Sequence, residues 1–507
     1  MKYIPEPYQR KGAIELLKNP KFGLLFDPGL GKTATVLHCL KALSLTRDNF
    51  KALIIAPRLV CLDVWPDEID KWNPFRSLSR VQLRNLDQFE FGKTIRHINK
   101  RPENIWLTAP DLSRLTDLFS ALVRSISREH GIPFRNFDYW LTKGSYQRKK
   151  FYETIKANPS IWPFNVLIVD ESSKFKNASS KRFKVLRKFI PYFPRRIIMT
   201  GTFAPNGLED IFSQQYIIDN GKTFGKQVTT FRDQYFQIDN PRYFSYKIKG
   251  PGEAQEIQEK VSSWVMRLDA ADHLNLPELI HNPIRISLSE KDQGHYDNVE
   301  SKLFTELDTG EDLIAPSSSV KYLLCRQMAS GSYYDPGRPD KKIKTVTPFH
   351  KRKTERLAEL IEELHGKPLI VAYVYRSDLI QIQKDLKKKL PSIGGHTSEK
   401  RAQAYLAQWS KGKIPVLLVQ ASSVAHGVNK LIGGNDLCFY TLTDHLEDYE
   451  QLIRRLLRRG AKGTIRVHYL IMRDTLDVVA YQRTKRKEKT ERDLLKAIER
   501  YRKDKGK

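Results

Sequence analysis

The stretch Phe22-Gly-Leu-Leu-Phe-Asp-Pro-Gly-Leu-Gly-Lys-Thr33 decides the reading of this chain. Phe22 to Phe26 form a short apolar run of the kind that makes a buried strand. Glycines 29 and 31 follow, and Gly31-Lys32-Thr33 opens a helix. Strand, glycine turn and helix start together make a phosphate cradle. Glycine has no Cβ, so the backbone bends sharply and presents its N–H groups to phosphate oxygens. The helix N-terminus adds partial positive charge. On this reading Pro28, Gly29, Leu30, Gly31, Lys32, Thr33 and Ala34 surround the phosphates of ATP. Lys32 reaches the β- and γ-phosphates, and the Thr33 hydroxyl ligates Mg²⁺. The general pattern asks for glycine where Phe26 stands. Taken alone, the stretch is also compatible with an ordinary strand–turn–helix and a surface lysine.

Working outward, the next informative stretch is Asn165 to Asn177, NVLIVDESSKFKN. Val166 to Val169 is a buried strand that ends in Asp170-Glu171. Two adjacent carboxylates can divide the work. Asp170 holds Mg²⁺ through water, and Glu171 orients and deprotonates the attacking water. The plainer alternative is an acidic pair facing solvent; the order after a phosphate turn favours catalysis. Upstream, the opening Pro5 to Leu17 contains PYQRKGAIELL, in which Ile14, Leu16 and Leu17 suit one buried helix face and Tyr8 and Gln9 come just before that face. A glutamine amide matches both donor and acceptor on an adenine edge, although a surface glutamine is commoner.

Further strands are expected at Ala52–Ala56, Asn104–Ala109 and Arg196–Gly201. The first is a fully apolar run of the kind found in parallel sheets. Arg58 stands at the carboxyl edge of the first, placed for a phosphate contact. Trp65 and Trp72 read as packing residues. Thr200 and Thr202 lie beside the expected γ-phosphate edge, where they can relay between nucleotide and nucleic acid or simply cap a strand. Leu112 to Trp162 is basic and aromatic. An inserted helical subdomain with buried aromatics is preferred to a surface that stacks single strands. Pro251 to Pro277 is helical in pattern, Ile284 to Leu288 is a strand, and Gly331 to Phe349 reads as a linker or loop.

From Lys353 the βα alternation returns. A helix at Arg356–Leu364 precedes strands at Pro368–Tyr373, Pro415–Gln420, Leu437–Leu442 and Val467–Met472. This second α/β lobe has no phosphate turn, so its natural task is to close over the first lobe's ATP. In Gln451 to Gly463, Arg455 and Arg458 are three apart and share a helix face. Two guanidinium groups there can stabilise transition-state charge, an effect of about 10³–10⁵ in rate. A basic solvated helix is the plainer alternative. Arg454 and Arg459 read as solvated or touching nucleic acid. Gln482 to Lys507 is basic and helical, a phosphate binder or a solvated tail.

The chain has 507 residues, with 87 Lys+Arg against 58 Asp+Glu and a formal net charge of +29. That length implies two or three domains, and the charge favours a polyanionic partner, most simply nucleic acid. The four cysteines are scattered with no CxxC pair, which argues against zinc or a disulfide framework and suits a reducing cytoplasm. No secretion signal or membrane-spanning run is apparent.

Taken together, these stretches resemble the superfamily 2 helicase-like ATPases, most closely Swi/Snf-type translocases in their compact phage or bacterial form. PYQRKG looks like the adenine-reading Q motif, and DPGLGKT resembles motif I, where the acidic-x-Gly-Leu-Gly-Lys-Thr form is usual. IIAPRLVCLDVWPDEIDKW resembles motif Ia, VLIVDESSKFKN motif II, MTGTFAPNGLEDIF motif III and PLIVAYVYRSDL motif IV. QASSVAHGVN resembles motif V, with Gly427 and Asn429 on the Gly-x-Asn. Gln451, Arg455 and Arg458 fall on motif VI. Motif II departs from the family in reading DESS, and motif VI carries Arg454 and Ala461 in place of the usual residues.

The resemblance implies two RecA-like P-loop lobes, α/β with parallel sheets and helical insertions, and ATP with Mg²⁺ between them. It implies a first lobe over 1–290 with insertions near 112–162 and 210–280, a helical linkage over 291–350, a second lobe over 351–480 and a basic tail over 481–507. Arg58, Thr200, Thr202, Ser422, Ser423 and Asn429 are the implied nucleic-acid contacts, made through the backbone of double-stranded DNA. The implied activity is a DNA-stimulated ATPase that translocates on duplex DNA in the cytoplasm. Alternatives are a strand-separating DNA or RNA helicase and, from another class, a non-hydrolysing nucleic-acid-binding scaffold.

Overall fold

The computed structural model describes the chain except residues 47, 59, 202, 205, 206, 241–244, 275, 276, 309–315, 335–345, 425–430, 432, 433, 458–462, 487–496, 499, 503, 506 and 507; at 84, 239, 240, 245, 271, 304–308, 316–319 and 424 it describes the backbone only. The chain divides into two units, Met1–Leu274 and Asn275–Lys507.

The first unit is built on a parallel sheet of seven strands. They are β1 (Lys21–Phe26), β2 (Ala52–Ile55), β3 (Arg80–Gln82), β4 (Ile105–Thr108), β5 (Val166–Asp170) and β6 (Arg195–Met199). An antiparallel pair, β7 (Phe236–Asn240) and β8 (Ser245–Ile248), stands apart, and β9 (Val265–Leu268) completes the sheet. The order is β3-β4-β2-β5-β6-β1-β9, and every neighbouring pair is parallel. Parallel strands need cover on both faces, and β2, β4 and β5 are buried along their whole length. In such sheets ligands bind beyond the carboxyl ends of the strands.

Two expectations for this unit need correction. Pro251–Pro277 is helical only over Pro251–Ser262; Val265–Leu268 then forms β9. This is an edge strand whose residues are only partly buried, so its apolar residues do not show the continuous run of a central strand. The first helix, Pro7–Lys18, buries Gly12, Ala13 and Leu16, whereas Ile14 is 42% exposed. The buried face is rotated toward Gly12, which packs closely against Phe26 and Thr35; a Cβ there would stand 3.1 Å from each.

Most of the large aromatics of the 112–162 stretch lie in the core, as the bland reading expects, whereas Tyr146 and Tyr152 are exposed. Helices Leu112–Glu129, Phe137–Thr142 and Ser145–Ala157 bury Phe119, Phe137, Trp140 and Phe151 around Phe189. Phe119 stacks on Phe189 with centroids 4.0 Å apart. Such pairs add about 0.5–1.5 kcal/mol beyond burial.

The second unit contains β10 (Leu279–Ile286), a small antiparallel pair β11 (Ser332–Tyr334) and β12 (Val346–Pro348), then β13 (Leu369–Tyr373), β14 (Ser392–Ile393), β15 (Val416–Gln420), β16 (Asp436–Phe439) and β17 (Ile465–Met472). Its main sheet runs β10-β17-β16-β13-β15-β14, again all parallel. The first lobe therefore does not extend to 290. β10 pairs with β17 along eight residues and belongs to the second sheet. It is an edge strand, the position where Pro283 is tolerated because no ladder hydrogen bond is needed on one side.

The expected linkage over 291–350 is also core. Tyr296, Leu303, Cys325 and Met328 pack with Met472, Leu476 and Val479. The described end of the basic tail joins them: Ala497, Ile498 and Tyr501 are buried, and Lys505 binds Asp297 at 2.8 Å and Glu300 at 2.9 Å. That part of the tail is neither solvated nor offered to phosphate. An apolar face at 497, 498 and 501, following helical spacing, is the reason.

Beside this core lies a buried ion cluster. Arg326 donates to Asp477 at 2.5 Å and to the Leu442 carbonyl at 2.6 Å; Lys353 meets the other Asp477 oxygen at 2.5 Å.

Candidate nucleotide site

The site grows from the carboxyl ends of β1, β5 and β6. After β1 the chain turns through Gly29, with φ 93°, and Gly31, with φ 73°. Both are left-handed positions that glycine adopts without steric cost. A Cβ at Gly31 would collide with the Gln9 amide nitrogen. Gln9 holds two bonds at once. Its carbonyl accepts the Glu6 N–H at 3.0 Å, part of a capping box on helix Pro7–Lys18, and its amide donates to the Leu30 carbonyl at 3.1 Å. One side chain thus ties the first helix to the glycine turn.

Lys32 begins helix Lys32–Leu45, and its ammonium donates to the Phe26 carbonyl at 2.7 Å. The charge is folded back over the turn, close enough to Asp170 to favour that carboxylate. Thr33 is half-buried, while Leu30 and Ala34 are buried beneath the turn. Pro28 packs on Gly201, where a Cβ would stand 3.0 Å from its ring. Thr200, at the end of β6, is fully buried and donates its N–H to the Leu24 carbonyl at 3.2 Å.

Asp170 ends β5. One of its oxygens accepts the Trp65 indole N–H at 3.0 Å, the other the Glu171 backbone N–H at 3.0 Å. Burial, then the neighbouring Glu171 charge, push its pKa up to about 6, against the pull of Lys32 and Trp65. A cation at this carboxyl would restore full ionisation. Glu171 has φ 53° and ψ 60°, a left-handed conformation that costs a residue with a Cβ about 1–3 kcal/mol and concentrates at functional sites. The donor set fits ATP with Mg²⁺: a turn open only to glycine, an ammonium, a hydroxyl at Thr33 and a strand-end carboxylate.

Sequence reasoning missed several participants. Trp65, read as packing, is fully buried but also a hydrogen-bond donor to Asp170. Gln214 receives the Ser172 hydroxyl at 2.6 Å and donates to the carbonyls of Phe203 and Asp210, joining the acidic strand end to the segment after β6. The stretch after β9 forms a wall. Asp27 accepts the Ala270 N–H at 3.1 Å, and the His273 ring lies 4.9 Å from Tyr8. An aromatic pair beside a phosphate turn suits a flat base. Trp65–Asp170, Ser172–Gln214 and Asp27–Ala270 are 105, 42 and 243 positions apart, and no local pattern carries them.

The remaining expected residues are less gathered. Arg58 is exposed just beyond β2. In the second unit, helix Leu446–Leu456 carries Gln451 and Arg455, both buried. The Gln451 amide donates to Glu447 at 3.3 Å, while its carbonyl oxygen has no partner among the described residues. Arg454 meets Glu450 at 3.6 Å. Ser422 is exposed, and Ser423 donates to Gln420 at 3.2 Å. Arg458, Thr202, Gly427 and Asn429 lie outside the described residues.

The family described as SNF2-related domain matches residues 8–329. The chain belongs to this family of helicase-like ATPases. Protein p41 of Acyrthosiphon pisum secondary endosymbiont phage 1 is 28% identical over 516 residues, spanning 98% of this chain and 99% of that one. The mouse chromodomain-helicase-DNA-binding protein 1-like is 23% identical over 339 residues, 63% of this chain but 35% of that protein. The chain thus spans nearly all of the phage relative and about a third of the mouse one. Among solved structures, the Sulfolobus solfataricus SWI2/SNF2 ATPase core in complex with dsDNA is similar at 19% identity, covering 99% of this chain and 97% of that one, with a TM-score of 0.38. No helix among the described residues is long and apolar enough to cross a membrane.

Proposed function

We propose that this chain is a nucleic-acid-stimulated ATPase that translocates on double-stranded DNA. The observation that carries the reading is the convergence of Lys32, Asp170 and a left-handed Glu171 beside a turn with two positive-φ glycines. The phosphates of ATP occupy the turn, and Lys32 leaves the Phe26 carbonyl to bind their oxygens. Thr33 and Asp170 are the residues that would hold Mg²⁺, which would supply charge neutralisation at the phosphates. Glu171 accepts a proton from water as its oxygen bonds to the γ-phosphorus. The bond from that phosphorus to the bridging oxygen breaks, and ADP leaves. Gln9 and Tyr8 select the base.

The net charge of +29 supports a polyanionic partner gripped through its backbone. The mouse relative is named as DNA-binding, and we carry a DNA partner over from it. Four buried, free cysteines suit work in a reducing cytoplasm. Displacement of a third strand from a DNA triplex tests translocation without strand separation. ATP-dependent release of that strand, with the underlying duplex intact, is expected. Release of duplex strands instead, or no ATP-dependent release, would overturn the translocase reading.

A further inference from the structure

Away from the phosphate turn, the first unit carries a second concavity of about 840 Å³. Lys181, Lys184, Arg187, Lys188 and Lys226 line it, with Asp138 the single acid. The first three fall three residues apart on helix Lys181–Arg187, on one face. Like charges at that spacing weaken a helix. Among the described residues none of the four lysines is ion-paired, and Lys188, although exposed, is held below its usual pKa by partial desolvation and by Arg148 and Arg187.

Arg187 is fixed in place. It donates to the Lys226 carbonyl and lies 4.6 Å over the Tyr216 ring. That contact joins the helix to the loop carrying Lys226, so two separate segments present their cations to one bowl. The lining is in part apolar, with Leu141, Val185 and Tyr216, and it also includes Asn220 and Gln227. No lining residue belongs to the phosphate turn or to the Asp170–Glu171 pair.

Concave walls of one sign concentrate potential, and this volume is that of a small-molecule site. The occupant must be compact, carry several negative charges and bury an apolar ring. A bare duplex backbone or a purely acidic peptide leaves the apolar part of the lining unused. A nucleotide meets all three conditions: phosphate oxygens accept from several ammonium groups at once, the base packs on the apolar part of the lining, and the Asn220 and Gln227 amides offer donors and acceptors to its polar edge. We propose that this cavity is a second nucleotide-binding site, taking a nucleotide unit either free in solution or at the end of a nucleic-acid strand.

The test uses the full chain and the double variant Lys184→Gln/Lys188→Gln, both exposed positions whose change spares the core. Three fluorescent probes are titrated: methylanthraniloyl-ATP, a 5′-phosphorylated oligothymidylate of four residues, and a decaglutamate peptide. A free-nucleotide site gives two methylanthraniloyl-ATP sites per chain. Lys32→Ala removes one, and the double variant weakens the other at least tenfold. A strand-end site instead gives at least tenfold weaker oligothymidylate binding in the double variant. Either result supports the proposal, provided ATP turnover without nucleic acid stays within twofold. Unchanged affinity for both nucleotide probes overturns it, as does a loss confined to decaglutamate. Because Lys32→Ala and the double variant address different sites, failure here is separable from failure of the ATPase reading.

Discussion

The indole N–H of Trp65 donates to the Asp170 carboxylate at 3.0 Å, joining the helical stretch after β2 to the acidic end of β5. The bond favours the ionised carboxylate against burial and the Glu171 charge. Trp65→Phe removes it while keeping an aromatic ring. A hydrogen bond to a charged group contributes about 1.5 kcal/mol or more, equivalent to about one pH unit. The acid limb of kcat/KM for ATP hydrolysis should move upward by about that much. An unmoved acid limb would separate Trp65 from the ionisation of Asp170.

The raised pKa of Asp170 also has a stability consequence in the nucleotide-free protein. Its folded value is about 6 against 3.8 for the ordinary group. The folded state therefore binds the proton more tightly, so this contribution is fully present below pH 3.8 and is lost as pH rises through 6. Asp170→Asn should abolish that fall and leave the variant more stable than the parent at pH 8, by up to about 3 kcal/mol. Urea unfolding at pH 5 and pH 8 measures the difference; a parent no less stable at pH 8, relative to the variant, contradicts it.

Gly31 is constrained twice, by its φ of 73° and by the Gln9 amide against its α-carbon. Gly31→Ala should displace Gln9 and distort the turn. The strain is about 1–3 kcal/mol, so a KM for ATP at least tenfold higher is expected, with the melting temperature lowered by a few degrees. An unchanged KM would show that the turn does not hold the nucleotide.

Arg326 and Lys353 both bind Asp477 in the second unit, and all three are buried. Arg326→Met leaves a buried carboxylate short of one partner, a change that costs about 3–5 kcal/mol. The two cations hold Asp477 below its usual pKa despite burial. Its stabilisation is therefore present above about pH 4 and is lost as pH falls through the lower folded value. Denaturant titration of the parent and Arg326→Met should give curves that converge in acid.

How much of this was legible in the sequence follows from how local each feature is. The phosphate turn declares itself because only glycine takes the conformations at 29 and 31, and the central strands because they are apolar throughout. Asp170 and Glu171 are visible as the polar end of such a run. β9 was missed, and β10 was read only from Ile284 and placed in the wrong lobe, because edge strands are only partly buried and tolerate Pro283. The 291–350 segment and the end of the basic tail looked like linkage and tail, since their apolar faces matter only once packed together. Trp65, Gln214 and His273 enter the site through contacts between residues distant in the chain, which no spacing encodes.

The most direct test of the central claim is steady-state ATP turnover by the full chain and by Glu171→Gln, each with no nucleic acid, blunt duplex DNA, single-stranded DNA and RNA. The account predicts strong stimulation of the parent by blunt duplex DNA. It predicts that Glu171→Gln loses at least a hundredfold in both basal and stimulated turnover, since general-base catalysis contributes about 10²–10⁴. Turnover that survives in Glu171→Gln, or a parent indifferent to duplex DNA, would contradict it.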